Sequence, residues 1–248
     1  MNPQTLSQQL KSLRLRTAAD ELEQVLTKHK SAVSLAWAVE LMERELDARK
    51  ERLLQGRIKS AQFPETPSLE SFDWSFDPAI DEAKIRELAQ LNFVRDCGIA
   101  LLLGKPGTGK THIALALGVL AVHQGFRVYC TSIKRLAQDI KLAQMKNSLD
   151  VLFRKILSSE LWILDDWGMT TLKQDTSEEV FDLLDRRKHS SAMILTSNRD
   201  VAEWSEMFTE PVLASAAIDR VFDRAEIVTF NGPSYRMKGK LSMPEAKI

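Results

Sequence analysis

Apolar positions in the N-terminal part of the chain recur at helical spacing. Leu6, Leu10 and Leu13 fall at i, i+4 and i+7, one face of a helix. Thr17 with Asp20 resembles a capping box, and Leu22, Val25 and Leu26 follow it on a second helix. Leu35, Val39, Met42 and Leu46 form the stripe of a third. Its far end carries Arg44, Arg49, Lys50, Arg52, Arg57 and Lys59 against Glu45, Asp47 and Glu51. Residues 1–62 contain one glycine, Gly56, and one proline, Pro3, and read as a small all-α domain.

The pattern then changes. Ser60 to Glu82 holds six acids, no base, and Pro64, Pro67 and Pro78. Phe72, Trp74 and Phe76 alternate with polar residues, the period of an extended segment with one buried face. Three aromatics are costly to leave in water, so residues 63–82 read as a linker that docks on the domain after it.

Residues 83–248 alternate between apolar runs and helical patterns. Strands are expected at Ile99–Leu103, Arg127–Thr131, Leu161–Leu164, Met193–Thr196 and Ala225–Phe230. Helices are expected near 111–123 with Gly125 as the stop, at Ile133–Ala143, near 177–188, and as two short pieces about Trp204 and Leu213. Such alternation predicts an α/β domain, a five-stranded parallel sheet between helices.

Composition narrows the class. Thirty-four basic residues balance thirty-four acidic ones and 44% of positions are apolar, so the chain is neither a basic tail nor disordered. Cys97 and Cys130 have no metal-ligand spacing, and His29, His112, His123 and His189 are scattered, so no zinc site is expected. The longest apolar run, Ile113–Val122, is far short of the ~20 residues of a membrane span. The N-terminus lacks the apolar stretch of a secretory signal, and a soluble cytoplasmic protein with no membrane partner is expected.

The chemistry begins at Gly104-Lys105-Pro106-Gly107-Thr108-Gly109-Lys110-Thr111, a complete P-loop between an apolar strand and a helix. Chance supplies this pattern in roughly one chain in a hundred of this length. Its glycines leave backbone N–H groups free to wrap phosphates, and the helix N-terminus adds a positive field. Lys110 is placed to reach the β and γ phosphates, and the Thr111 hydroxyl to bind Mg²⁺.

A second element is Leu161-Trp162-Ile163-Leu164-Asp165-Asp166, an apolar strand ending in two carboxylates. Alone, two such acids are a loop cap. Beside a P-loop they suit a magnesium-coordinating Asp165 and a water-orienting Asp166. The strand and helix between Thr111 and Asp165 put this carboxylate strand next to the neighbour of the P-loop strand, which argues for an ATPase over a nucleotide kinase. Asn198, at the end of the fourth strand, can touch a γ-phosphate, or simply belong to a turn. Arg220 is open between a surface ion pair and a finger reaching the neighbouring subunit's ATP. Arg236 follows the last strand and can approach the phosphates of its own subunit.

Taken together, GKPGTGKTHIALALG, LWILDDWG, ILTSN and AAIDRVFDRAEIVTFNGPSYR resemble the IstB-like transposition ATPases of bacterial insertion sequences, AAA+ proteins related to the DnaC helicase loaders. SLRLRTAADELEQVL is similar to that family's N-terminal helical segment and FPETPSLESFDWSFDPAI to its linker. The resemblance implies an AAA+ P-loop NTPase fold, ATP and Mg²⁺ as cofactors, and a bacterial cytoplasmic protein. It further implies assembly on duplex DNA as a homo-oligomer with ATP at subunit interfaces, and recruitment of a partner transposase, IstA in the family's usage. It gives Lys110 and Thr111 the Walker A roles, Asp165 the Walker B metal role, Asn198 sensor 1, Arg220 the arginine finger and Arg236 sensor 2. One position departs: the residue after the Walker B aspartate is commonly glutamate, and here it is Asp166.

Between Arg127 and Lys155 seven basic residues face two acids, Asp139 and Asp150. Lys134, Arg135, Lys141, Lys146, Arg154 and Lys155 read as phosphate contacts on duplex DNA, or as a solvated helix face. No aromatics are interleaved with them, so single-strand stacking has little support. The basic stretch Arg49 to Lys59 is a second candidate. Alternatives are a DnaC-like helicase loader and a nucleotide-gated DNA scaffold with weak hydrolysis.

Overall fold

The structure, a computed structural model, describes residues 3–28, 36–188 and 190–238. The chain divides into two compact units, Met1–Gly56 and Arg57–Ile248. In the first, α1 (Pro3–Ser12) and α2 (Arg16–Lys28) bury Leu6, Leu10 and Ala19, and Met42 of α3 (Ala36–Ala61) packs against them. Arg14 turns the chain in the left-handed region, φ 61°, and Arg49 Nη1 donates to the Leu13 carbonyl at 3.1 Å, satisfying an orphan acceptor past the end of α1. The expected capping box falls on Thr17, whose side chain lies outside the described residues. The turn at Arg14 starts α2 at Arg16, which puts Thr17 inside the first turn. Leu35 and the side chains of Val25, Leu26 and Val39 lie outside the described residues.

The second unit is built on a five-stranded parallel sheet of β1 (Ile99–Gly104), β2 (Val128–Ser132), β3 (Leu161–Trp167), β4 (Ala192–Ser197) and β5 (Ala225–Phe230). Their order is β2-β3-β4-β1-β5. Ile99–Leu102, Leu161–Leu164 and Ala192–Leu195 are 0% exposed, which explains why these strands read as continuous apolar runs and not as alternations. Each buried Leu or Ile there contributes about 1.5–3 kcal/mol. Helix α6 (Lys110–His123) is apolar nearly all round and packs tightly: a Cβ on Gly118 would lie 2.4 Å from Ile163 Cδ1 and 2.9 Å from Phe63. All strands run in one direction, so the carboxyl ends of β1, β3 and β4 share one edge of the sheet. That edge is where open α/β sheets bind ligands.

Three helices were not legible in the pattern: α4 (Glu82–Leu88), α5 (Asn92–Arg95) and, after α7 (Ile133–Met145), α8 (Leu149–Leu157). Asp81 caps α4 by accepting from Lys84 N at 2.9 Å, and α8 buries Phe153 and Ile156 while Arg154 and Lys155 face outward. Helices α9 (Gln174–Arg187) and α10 (Pro211–Phe222) complete the layers. The aromatic segment is corrected too. Residues 69–76 form a short 3-10 helix and turns, because Ser71, Asp73 and Asp77 bond to neighbours in sequence and bend the backbone. Among the described residues, no helix is long and apolar enough to cross a membrane.

Candidate functional site

The P-loop leaves β1 at Gly104 and enters α6 through Gly109, with left-handed backbone at Gly107 (φ 80°) and Gly109 (φ 100°). No side chain caps α6, so its first N–H groups remain available to an anion. Gly109 is also required by space: a Cβ there would lie 2.5 Å from the Phe72 ring. Lys110 folds back on its own loop, with Nζ donating to Gly104 O at 2.8 Å and Lys105 O at 2.6 Å. Burial pulls its pKa down to about 8, opposed by Asp165 and Asp166 and reinforced by Arg236. A buried lysine so placed exchanges carbonyls for phosphate oxygens with little reorganisation.

The opposite wall depends on a register slip. Leu164 pairs with Leu195 but Trp167 pairs with Ser197, so Asp165 and Asp166 together face Thr196 across a β-bulge. Asp166 takes φ 60°, a left-handed conformation that aspartate tolerates better than longer or branched residues do. Thr111 Oγ1 donates to Asp165 Oδ1 at 2.9 Å, although the two lie 54 positions apart. Thr196 Oγ1 donates to the same oxygen. Asn198 Nδ2 donates to Asp166 Oδ1 at 3.1 Å. Burial raises the Asp166 pKa, as does Asp165, against the pull of Lys110, Arg236 and the Asn198 hydrogen bond.

These groups line one cavity of about 370 Å³. Lys110, Thr111, Asp165, Asp166, Asn198 and Arg236 all reach it, as do Pro106 to Gly109. Gly104 and Lys105 do not line it; Lys105 faces a separate groove beside Asn231. Arg236 sits on a 3-10 turn held by Tyr235 N donating to Gly107 O at 2.9 Å. Arg220 is elsewhere in the protomer, on α10, paired with Asp185 of α9 at 2.7 Å and with Asp219 at 3.0 Å.

The basic residues lie on α7, at its C-terminal end and on α8. Lys134 and Lys141 lie exposed on α7. Arg135, Lys146 and Lys155 line a groove with Leu142 and Val151, where Arg135 pairs with Asp139 at 3.8 Å and Lys155 lies over Tyr129. Arg154 lines another groove with Phe153 and Arg186.

Several cavity residues escaped sequence reasoning. Phe72, Phe76, Asp77 and Ile80 form an apolar-edged wall, and Phe76 meets Tyr235 edge to face at 4.9 Å between centroids. Phe72 packs on His112, whose Nε2 is 3.2 Å from Ser68 O. The Phe72-Trp74-Phe76 alternation signalled docking but not that the partner surface is the cavity. Thr196 and Ser197, two buried polar residues that end the otherwise apolar β4, lie behind the cavity wall and also escaped that reasoning.

The donor set suits a nucleotide and its metal. An uncapped helix start with a buried lysine fits a triphosphate. The Thr111 hydroxyl beside the Asp165 carboxylate supplies hard oxygens, which Mg²⁺ takes from protein when phosphate and water complete its shell. A family profile described as IstB-like ATP binding protein matches residues 7–243. The chain belongs to the IstB-like ATP-binding family. An insertion-sequence IS21 protein of Pseudomonas aeruginosa, named for ATP binding, is 39% identical over 199 residues, 80% of this chain and 75% of that one. An IS232 protein of Bacillus thuringiensis subsp. berliner is 30% identical over 241 residues, 96% of each. Among solved structures, this IstB-like protein is similar to AMPPCP-bound DnaA of Aquifex aeolicus, with a TM-score of 0.57 and 22% identity over 71% of this chain and 53% of DnaA. It is similar also to a DnaC helicase loader, with a TM-score of 0.53 and 20% identity over 60% of this chain and 87% of that one. The IstB-like protein thus has the AAA+ P-loop NTPase fold, preceded by a small helical segment.

Proposed function

We propose that this IstB-like protein binds ATP with Mg²⁺, hydrolyses it to ADP and phosphate, and uses the nucleotide to regulate its assembly on duplex DNA, where it recruits and stimulates a partner transposase. The observation that carries the ATPase part is the meeting of Thr111 with Asp165 and of Asn198 with Asp166 on the wall of one cavity. In this reading the P-loop amides and Lys110 hold the phosphates, and Thr111 and Asp165 hold the metal. Bound Mg²⁺ would neutralise charge on the β and γ phosphates. Asp166, held by Asn198, accepts a hydrogen bond from the attacking water and takes its proton. Arg236 neutralises phosphate charge in its own subunit. Phe72, Phe76 and Tyr235 supply apolar and aromatic surface for the base.

Arg220 acts in trans: released from Asp185, it reaches the ATP of a neighbouring subunit, so the active form is an oligomer. The helical domain 1–62 serves assembly, DNA or partner binding, residues 63–82 link it to the ATPase domain 83–248, and Lys134, Arg135, Lys141, Lys146, Arg154 and Lys155 contact phosphates. The setting is the bacterial cytoplasm. The insertion-sequence names of the relatives support the transposition role. The likeness of fold to a DnaC helicase loader favours a second reading, loading of a replicative helicase.

Sedimentation with duplex or single-stranded DNA, with and without ATP and Mg²⁺, separates them. Large complexes that form only with duplex DNA and nucleotide are expected. A preference for single strands would favour the loader, and assembly indifferent to nucleotide would overturn the switch.

A further inference from the structure

The bulge that presents the two carboxylates leaves backbone groups that the strand ladder does not pair. Two hydroxyls on β4 take them up. Asp166 N donates to Thr196 Oγ1 at 3.1 Å, and the single proton of that hydroxyl goes to Asp165 Oδ1. Thr196 therefore spends its donor on the Asp165 carboxylate and an acceptor site on the Asp166 amide. It is 1% exposed, so water does not compete for either bond.

The adjacent Ser197 is 0% exposed and holds the other side of the bulge. Its Oγ donates to Trp167 O at 2.9 Å and accepts from Arg199 N at 3.1 Å and Trp204 Nε1 at 3.0 Å. The residue after Asp166 and the residue after Asn198 are thus tied through one oxygen. Trp204 in turn packs edge to face on Trp167, with centroids 6.1 Å apart, so the tie is backed by the aromatic core.

We propose that Thr196 and Ser197 are positioning residues, a two-hydroxyl clamp that holds the Asp166 backbone in its left-handed conformation and sets Asp165, Asp166 and Asn198 in their working arrangement. A hydroxyl that only satisfied core polarity would need one partner. Here each bridges the two strands that carry the site, and together they hold the Asp166 amide and the carbonyl of the next residue, Trp167. The clamp rests on the ATPase reading only for its effect on turnover; its geometric part stands apart from it.

The test uses Thr196→Val, which keeps the shape and removes both bonds, Thr196→Ser, which keeps the hydroxyl, and Ser197→Ala. Turnover, nucleotide affinity without metal, Mn²⁺ affinity in the presence of ATP, and hydrogen exchange of the Asp166 amide are measured in the full chain. Thr196→Val is expected to lower turnover and Mn²⁺ affinity about 10–100-fold, as loss of groups that orient metal ligands does, with metal-free ATP affinity within about twofold. The Asp166 amide should lose protection in Thr196→Val and keep it in Thr196→Ser, which should restore turnover to within about threefold of wild type. Wild-type turnover in Thr196→Val, unchanged Asp166 protection, or a Thr196→Ser variant as impaired as Thr196→Val would overturn the clamp. If Thr196→Val does not fold, the serine variant and Ser197→Ala decide by the same amide. A wild-type protein that does not hydrolyse ATP would sink the ATPase reading, while amide protection and Mn²⁺ affinity would still judge the clamp.

Discussion

The two walls of the cavity are made in different ways. The P-loop wall is one run of backbone, Pro106 to Thr111, shaped by glycines in left-handed conformations and by the free start of α6. The facing wall is made of side chains from β3 and β4, brought against Thr111 by a sheet that spaces β3 one strand away from β1. Backbone amides bind phosphate whatever its state, whereas in the proposed reading the carboxylates placed by the bulge act on a metal and a water. On that proposal the first wall governs affinity and the second turnover.

The largest expected effect tests whether these two walls suffice. Replacing Arg220 by alanine should cut turnover about 10³-fold or more, as loss of a finger arginine does, with ATP affinity nearly unchanged. Normal turnover in that variant would confine the chemistry to one subunit. Next, Asp166→Asn should lower turnover by about 10²–10⁴-fold, the usual share of a general base, and leave the ATP Kd within about threefold. A matching loss of affinity would erase the division between the walls. Lys110→Ala should do the opposite, weakening ATP about a hundredfold by calorimetry, because a buried charge-assisted contact to phosphate is lost.

A smaller effect follows from pH. Burial sets the free Lys110 pKa at about 8, and bound phosphate raises it. The protonated form binds, so affinity is full below pH 8 and falls up to about tenfold per unit above it, with proton uptake on binding. Calorimetry at pH 9 in buffers of different ionisation enthalpy checks this; binding without proton uptake there would contradict it. The smallest expected change is in Phe72→Ala. Loss of the ring over Gly109 and His112 should weaken ATP about three- to tenfold while Mg²⁺ dependence stays as in wild type.

The same contrast explains what was legible. Gly104 to Thr111 is contiguous, so its identity, its strand and its helix could be read together. The strands announced themselves because β1, β3 and β4 are buried on both faces and carry unbroken apolar runs. Helix α8 was hidden because Arg154 and Lys155 drew attention to charge, while Phe153 and Ile156 carried the packing. Alternation of Phe72, Trp74 and Phe76 suggested an extended segment, but local hydrogen bonds of Ser71 and Asp73 bend it into turns. Arg220 could not be placed from its spacing, because its partner Asp185 lies on another helix.

By itself, then, the sequence determined the parallel sheet, the phosphate loop and the membership of an ATP-binding family, because each rests on neighbouring residues or on a regular period. Only the tertiary structure decided that Thr196 bonds Asp165 and the Asp166 amide while Ser197 bonds the Trp167 carbonyl, that Phe72 and Phe76 wall the cavity, and that Arg135, Lys146 and Lys155 share a groove. A one-residue slip between two strands and the packing of distant turns have no period in the chain, so they exist only once the sheet has formed.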